Sequence, residues 1–563
     1  MRLKPKTDTF FALAAVATLL LNAPGVLHVL SASRTQTDPA SAIRELVADA
    51  VPPGTPVFFV SSGDDREASV ERAMRQAVTW ETMPAPVPCG AVADIGLEQA
   101  VLTPCFDEAA NAALAASGRF REGDSRAGRR LWTKTEGRRR NVEGRSVTAW
   151  REVRGLAPLA LVALAGGVVG GAAGVFTAAT LLSLLLFLPL LLGVAVSPVL
   201  VWLATALVLA ASATPSRRPA GDGGRGPFWA GMLVFVLGAR MALAHAFTLP
   251  YGLSVTGGKA KLWHLAGALP PDFFTGAGWK LLEPAYPPGC AALTLGCYGA
   301  ADYCGDWLTQ LIPCLFAAVA AGLMVSRAEG AGRRLWLLAP FLSPLALMTC
   351  GQFYPEPILA LGVLAGWDRV RAGRASGWLL LGAAGWFKNE GLVFLLAAWL
   401  AWRLTDGASR ARFRHLAAAL VLPMVWHVGC RLAGASLNDY AAPWQLSVPR
   451  GIHALGEALR LAFLEPWQYA FAYPVALVVA LVAAVFACRR AGWGTETLRP
   501  LPAALLFSFF SILAFSFVFS CSTANAAWHL STSLPRLLWT PALLLAWEAA
   551  RRPVSATDCA ENC

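Results

Sequence analysis

The chain has 563 residues, of which 56% are hydrophobic and only 15% charged, and its mean hydropathy is +0.52. This excludes an ordinary soluble globular protein, in which about a quarter of the residues are charged. The formal net charge of +12 does not mark a nucleic-acid binder, because no motif for that role is present and the basic residues sit in short loops beside apolar runs. Those runs recur at membrane-spanning length. The chain therefore reads as mostly α, a polytopic transmembrane helical bundle of about 11–13 spans with a small N-terminal α/β extramembrane domain.

In chain order, the first apolar run covers residues 10–30 and comes after Arg2, Lys4 and Lys6. It is longer than a signal-peptide core and shows no clear cleavage site, so residues 1–33 read as a retained membrane anchor. Residues 34–154 are polar. TPVFFVS has strand character, while DREASVERAMRQAVTW and FDEAANAALAAS have helical character, which gives the α/β domain. No glycine-rich phosphate loop comes after the strand.

The side of this domain stays open. Arg138, Arg139, Arg140, Arg145, Arg151 and Arg154 crowd the next span and argue for the cytoplasm. The basic N-terminus argues instead for an anchor that exports the polar segment behind it. A Cys89–Cys105 disulfide would place the domain in an oxidising compartment. Residues 155–212 form a membrane-embedded connecting region with two spans, or one span and a partial insertion.

From Ser212 onward the charges alternate in an orderly way. SRRPAGDGGRG, SRAEGAGRR, WDRVRAGRAS, DGASRARFRH, CRRAGWG and the tail EAARRP are basic and belong inside. The segments 250–306, CGQFYPEP, 436–468 and CSTANAAWHLSTSLPR fall outside. The transmembrane region runs over 228–550, and 551–563 is a cytoplasmic tail.

One outward element interrupts this apolar pattern. In GWFKNEGLVF, Lys388, Asn389 and Glu390 stand between apolar arms of about eleven to fourteen residues. Each arm reaches roughly 17 to 21 Å at 1.5 Å per residue, against about 30 Å of hydrocarbon. Basic loops flank both arms, so the segment must enter and return on one face. Its KNEG tip turns within protein or a wet cavity. Charges at that depth cost a few kcal/mol each and mark functional cavities. A purely structural Lys–Glu pair closing the hairpin is the alternative.

Two further outward features belong with it. EPAYPPG, 283–289, is a turn stiffened by its prolines. WHLSTSLPR, 528–536, gathers His529, Ser531, Thr532, Ser533 and Arg536 just outside the last span. An arginine there suits bidentate phosphate binding, or lipid-headgroup anchoring. The 21 tryptophans fit interfacial anchoring as well as sugar stacking, Trp263 and Trp528 included. The 12 cysteines form no CxxC pair, so neither a zinc site nor a thioredoxin-like motif is expected. Cys290, Cys297 and Cys304 recur every seven residues as buried free thiols.

Taken in order, an outward first loop, a YPP(L/G) turn, a re-entrant K-N-E-G hairpin and a late W-H-L-x-T-S-x-x-R segment resemble the bacterial GT-C glycosyltransferases. That superfamily includes protein O-mannosyltransferases and enzymes that decorate lipid A. The likeness covers 228–550. It implies a multi-pass enzyme of the bacterial cytoplasmic (inner) membrane. The sugar would pass from a polyprenyl-phosphate donor to an acceptor (lipid, glycan or protein) at the outer face. A carboxylate of the first outer loop would act as base, and basic residues would hold the lipid phosphate. No cofactor is implied, although some relatives use a divalent ion.

The sequence departs from the pattern at both familiar acids. Relatives place an aspartate eight residues before the first lysine of W-D-x-x-S-x-W-x-x-K-A-K. Here Tyr251 occupies that place, whereas Ser254, Lys259 and Lys261 match. Relatives read H-P-D-Y-P-P-G where this chain has Glu283, Pro284 and Ala285 before Tyr286. Tyrosine is a poor base with its pKa near 10. Glu283 is therefore expected as the acceptor-side acid or base, with Asp272 behind it. Lys259, Lys261, Lys388 and Arg536 are expected on the donor phosphate, Glu390 is expected to position Lys388, and Tyr286 and His529 are expected to line the substrate. Lys259 and Lys261 also fit snorkelling interfacial lysines. Two rivals remain: a catalytically degenerate member that binds lipid-linked sugar, and a lipid-linked glycan transporter, against which stands the lack of an internal repeat.

Overall fold

The computed structural model describes residues 8–19, 22, 57–60, 89–90, 100–104, 120–126, 129–134, 149–212, 225–244, 255–276, 279, 282–302, 308–406, 411–435, 448–463, 472–491, 500–520 and 526–551. The described chain is mostly helical. In chain order its helices are α1 (Asp8–Leu19), α2 (Ala149–Leu191), α3 (Pro198–Ser212), α4 (Arg225–Ala244), α5 (Gly257–Ala266) and α6 (Gly289–Ala301). They continue with α7 (Leu311–Ser326), α8 (Ala331–Leu338), α9 (Pro344–Gly351), α10 (Glu356–Arg371), α11 (Ser376–Phe387) and α12 (Glu390–Asp406). The last are α13 (Phe413–Leu432), α14 (Val448–Phe463), α15 (Ala472–Ala491), α16 (Pro500–Ser520) and α17 (Ala526–Ala550).

Among the described residues four helices are long and apolar enough to cross a membrane, or five if the α8–α9 pair, bent by 55°, counts as one span. Several other apolar helices are shorter. This is compatible with a polytopic membrane protein and gives fewer self-sufficient spans than the sequence suggested. The difference has a physical source. Prolines, glycines and buried charges break the apolar runs into pieces that pack on one another instead of meeting lipid alone.

The N-terminal segment contains a five-stranded sheet of order β2-β1-β3-β5-β4, built from Val57–Val60, Cys89–Gly90, Ala100–Pro104, Phe120–Arg126 and Arg129–Lys134. β1 pairs parallel with β2 and β3, while β5 pairs antiparallel with β3 and β4. The strand expected at TPVFFVS is present as β1. The two helices expected beside it lie outside the described residues, as does Cys105, so an α/β domain is not shown.

Residues 155–212 form a hairpin and then a further helix. Helix α2 reverses at Gly171, whose φ of 58° and ψ of −145° only glycine adopts readily. The two arms touch where Gly166 meets Gly174. Arg154 Nε donates to the carbonyl of Ala300 at 2.8 Å, which ties the first arm to α6.

The bundle has two ends, and the buried charges gather at each. At the end bearing the basic loops, Asp368 of α10 accepts from Arg327 at 3.0 Å and pairs with Arg551. Glu548 of α17 meets Arg371 at 3.4 Å and accepts from Trp367 Nε1 at 3.0 Å. The N-terminal helix docks at the same end. Asp8 Oδ1 accepts from the backbone N–H of Arg333 at 3.1 Å, as a cap for α8 supplied from a distant segment. Trp336 and Phe11 pack above it with ring centroids 6.4 Å apart.

Among the described residues most of the tryptophans are core residues. Trp263, Trp336, Trp367, Trp378, Trp402 and Trp547 are fully buried, so neither an interfacial belt nor sugar stacking accounts for them. For Trp263 the sugar-stacking possibility falls away: it packs on Phe187 and Phe273, with centroids 5.5 and 6.0 Å away. The side chain of Trp528 lies outside the described residues. Cys290 and Cys297 are buried free thiols as expected; Cys304 lies outside the described residues.

Candidate functional site

The K-N-E-G segment folds as a hairpin. Helix α11 stops at Phe387 because Lys388 is extended, with φ −157° and ψ 141°. The turn closes through Gly391 N–H to the Lys388 carbonyl at 2.9 Å and Leu392 N–H to the Asn389 carbonyl at 3.0 Å. Gly391 packs directly on the backbone of Ala384 and Gly385, where any side chain would clash. Beneath the tip, Trp386 Nε1 donates to Ser183 Oγ at 2.9 Å. The Trp386 ring stands against Phe187 and Trp426, at 5.7 and 6.1 Å. The tip is thus braced by α2 and α13.

The ammonium of Lys388 is buried, 1% exposed. It donates to Glu356 Oε1 at 3.0 Å and lies 3.2 Å from Glu390 Oε1. Glu356 opens α10 from the CGQFYPEP loop. Its place in the first turn, between Pro355 and Pro357, suits both the proline φ and the helix dipole. Arg536 of α17 reaches the same oxygen, Glu356 Oε1, at 3.1 Å. It also donates to Ser533 Oγ at 3.4 Å and lies over the Tyr354 ring at 4.1 Å. Phe353, in the same loop, has a φ of 60°, a left-handed conformation that costs a bulky residue about 1–3 kcal/mol.

A second group lies beside the first. Glu283, half-buried, adopts a φ of 49°, and its carbonyl accepts from the N–H of Tyr286 at 2.9 Å to close the EPAYPPG turn. Lys259 Nζ is buried and donates to the Tyr286 carbonyl at 2.9 Å. Burial drives the Lys259 ammonium pKa down to about 7, against the opposing pull of the Glu283 carboxylate. The turn is held from behind by Trp426 Nε1 donating to the Ala285 carbonyl at 3.0 Å. Gly289, which ends this turn and opens α6, packs directly on Trp386 and Phe387 at the end of α11, so the turn adjoins the hairpin.

Of the residues expected at the site, the structure brings Lys388 and Arg536 together on the Glu356 carboxylate, with Glu390 beside the Lys388 ammonium. It places Glu283, Tyr286 and Lys259 in the adjoining group. Lys259 is thus bonded to the loop carbonyl and is separate from Lys388 and Arg536. Lys261 is half-buried and, two residues along a helix, points away from Lys259. Asp272 is exposed and accepts from Trp279 Nε1 at 3.0 Å in its own turn, which joins it to neither group. His529 lies on α17 with its side chain outside the described residues, and Tyr251 lies outside them altogether.

Glu356, Tyr354 and Asn389 were not singled out from the sequence as site residues. A signal for Glu356 was present: it is the one carboxylate of the CGQFYPEP loop, and prolines fix its helix start. Among the described residues no group of three His, Cys, Asp or Glu side chains is arranged to hold a metal ion.

No family model, curated protein or solved structure matches the chain.

Proposed function

We propose that the protein is a membrane glycosyltransferase of the GT-C type. It would move a sugar from a polyprenyl-phosphate donor to an acceptor hydroxyl at the face of the bacterial cytoplasmic membrane where Glu356 lies. The observation that carries this reading is the meeting of Lys388 and Arg536, from segments far apart in the chain, on the single buried oxygen Glu356 Oε1.

A buried ion network is a weak stabiliser, because desolvation consumes most of the Coulomb energy, and apolar residues of the same volume often do as well. Two convergent cations do, however, match the needs of a phosphate monoanion or diester. In the resting site Glu356 holds them oriented; with donor bound, the phosphate would share them.

The two groups divide the step between them. Glu283 takes the proton of the acceptor hydroxyl as the acceptor oxygen bonds to the anomeric carbon. The anomeric C–O bond to phosphate breaks, and its electron pair leaves with the polyprenyl phosphate, whose charge Lys388 and Arg536 balance. A base in this position is worth about 10²–10⁴-fold, and phosphate stabilisation adds to it. The strained φ of Glu283 and the stiff proline turn support a fixed carboxylate there. Residues 34–154 belong to the same proposal as an extramembrane α/β unit, its β part supported by the five-stranded sheet.

The test is incubation of membranes with labelled polyprenyl-phosphate sugars and an extract supplying acceptors, with release of polyprenyl phosphate as the readout. Glu283→Gln should lose at least about 100-fold, and Arg536→Ala a comparable amount. Full transfer by both variants would overturn the assignment. Binding of the lipid without release by the wild type would make the protein a binder, and movement of an intact glycosidic bond across the bilayer would make it a transporter.

A further inference from the structure

Around Lys388 three acceptor oxygens are buried and lack a donor among the described residues: Glu356 Oε2, Asn389 Oδ1 and Glu390 Oε2. They belong to the helix start of α10 and to the tip of the hairpin, which the Lys388–Glu356 and Lys388–Glu390 contacts draw together. Burying one acceptor without a donor costs about 1–3 kcal/mol, and native structures keep very few. Three beside one ammonium call for a ligand that brings hydrogen-bond donors.

The chemistry of the surroundings narrows that ligand. Lys388 and Arg536 already offset the two carboxylates, so a further cation would be buried against an ammonium and a guanidinium at close range. An anion placed on these three acceptors, as distinct from one held by the two cations, would be repelled by the carboxylate oxygens. A neutral group with several O–H donors satisfies all three acceptors without adding charge. Carboxylates and an amide oxygen accepting from vicinal hydroxyls discriminate strongly, because an analogue lacking one hydroxyl leaves a buried acceptor unpaired.

We propose that Glu356 Oε2, Asn389 Oδ1 and Glu390 Oε2 form a hydroxyl-reading subsite that takes the sugar ring of the donor beside its phosphate. This rests on the reading of Lys388 and Arg536 as the phosphate-binding pair. It gives the hairpin tip a second role: the lysine serves the phosphate, and the two residues after it select the sugar.

The experiment compares the binding of two probes to the full-length protein in nanodiscs: polyprenyl phosphate alone, and polyprenyl-phosphate hexose. The wild type should bind the sugar-bearing lipid at least about tenfold tighter, roughly 1.4 kcal/mol. Asn389→Ala and Glu390→Gln should each reduce that preference at least about threefold, with thermal unfolding measured alongside to confirm folded protein. A series of hexose lipids each lacking one hydroxyl should show the preference falling at particular positions. If the wild type binds both lipids equally, or if both variants keep the full preference, the subsite is refuted while the phosphate site stands. If neither lipid binds, the phosphate reading fails and this inference falls with it. If a divalent cation alone binds and is lost in Glu390→Gln, the oxygens serve a metal and the sugar subsite is wrong.

Discussion

Arg536 donates to Glu356 Oε1 at 3.1 Å across 180 residues of chain, and Lys388 donates to the same oxygen at 3.0 Å. One carboxylate thereby joins the CGQFYPEP loop, the K-N-E-G hairpin and the helix α17 at one end of the bundle. Twelve residues further along both α10 and α17, about 18 Å at 1.5 Å per residue, Asp368 and Glu548 repeat the arrangement with arginines. The two helices run parallel and are pinned at both ends.

At the Glu356 pin, Glu356→Gln leaves two buried cations facing an amide in place of a carboxylate and should cost about 3–5 kcal/mol. Paired with Lys388→Met in a double-mutant cycle, it should show coupling above about 1 kcal/mol. Thermal or denaturant unfolding of the purified protein reads both; strict additivity would mean that the two side chains do not interact.

The pin at the basic-loop end should behave differently. Asp368→Asn and Glu548→Gln remove partners of buried arginines and should lower stability by a similar amount. The ratio of affinities for sugar-bearing and bare lipid phosphate should stay at its wild-type value. A shift in that ratio would show that the two ends communicate beyond helix pinning.

Lys259 gives a pH dependence. Its folded pKa of about 7 lies below the ordinary lysine value of 10.5. Between those values the unfolded chain holds a proton that the folded chain does not, so this group makes stability rise with pH across the window. Lys259→Met removes that slope. The melting temperature of the wild type should gain on that of the variant from about pH 7 to about pH 9, and parallel curves would contradict a buried, proton-shedding amine.

Gly391 tests the hairpin by geometry alone. A methyl group there meets the backbone of Ala384 and Gly385, so Gly391→Ala should push the two arms apart and move Lys388 off Glu356. Donor release should fall at least about tenfold while the cost in stability stays near 1–3 kcal/mol, the usual range for overpacking. Wild-type turnover would mean that the tip tolerates displacement.

Much of this was legible in residue order. The alternation of basic loops with apolar runs reflects the cost of moving charge through lipid, and the short arms around Lys388 forced a hairpin because their length cannot span hydrocarbon. Gly391 and the extended Lys388 are the local means of that turn. Lys388, Glu390 and Arg536 stood out because ionic side chains in apolar surroundings need a reason.

The choice of Glu356 as their common partner was decided only by tertiary structure. Several outward carboxylates were chemically equivalent on paper, and only helix packing determines which one lies about 3 Å from two cations of other segments. The same holds for Lys259, whose interfacial reading gave way to burial on the Tyr286 carbonyl, and for Asp272, which its own turn ties to Trp279. Hydropathy and charge act along the chain and can be read there, whereas the pairing of buried ions depends on distances between helices that no local pattern encodes.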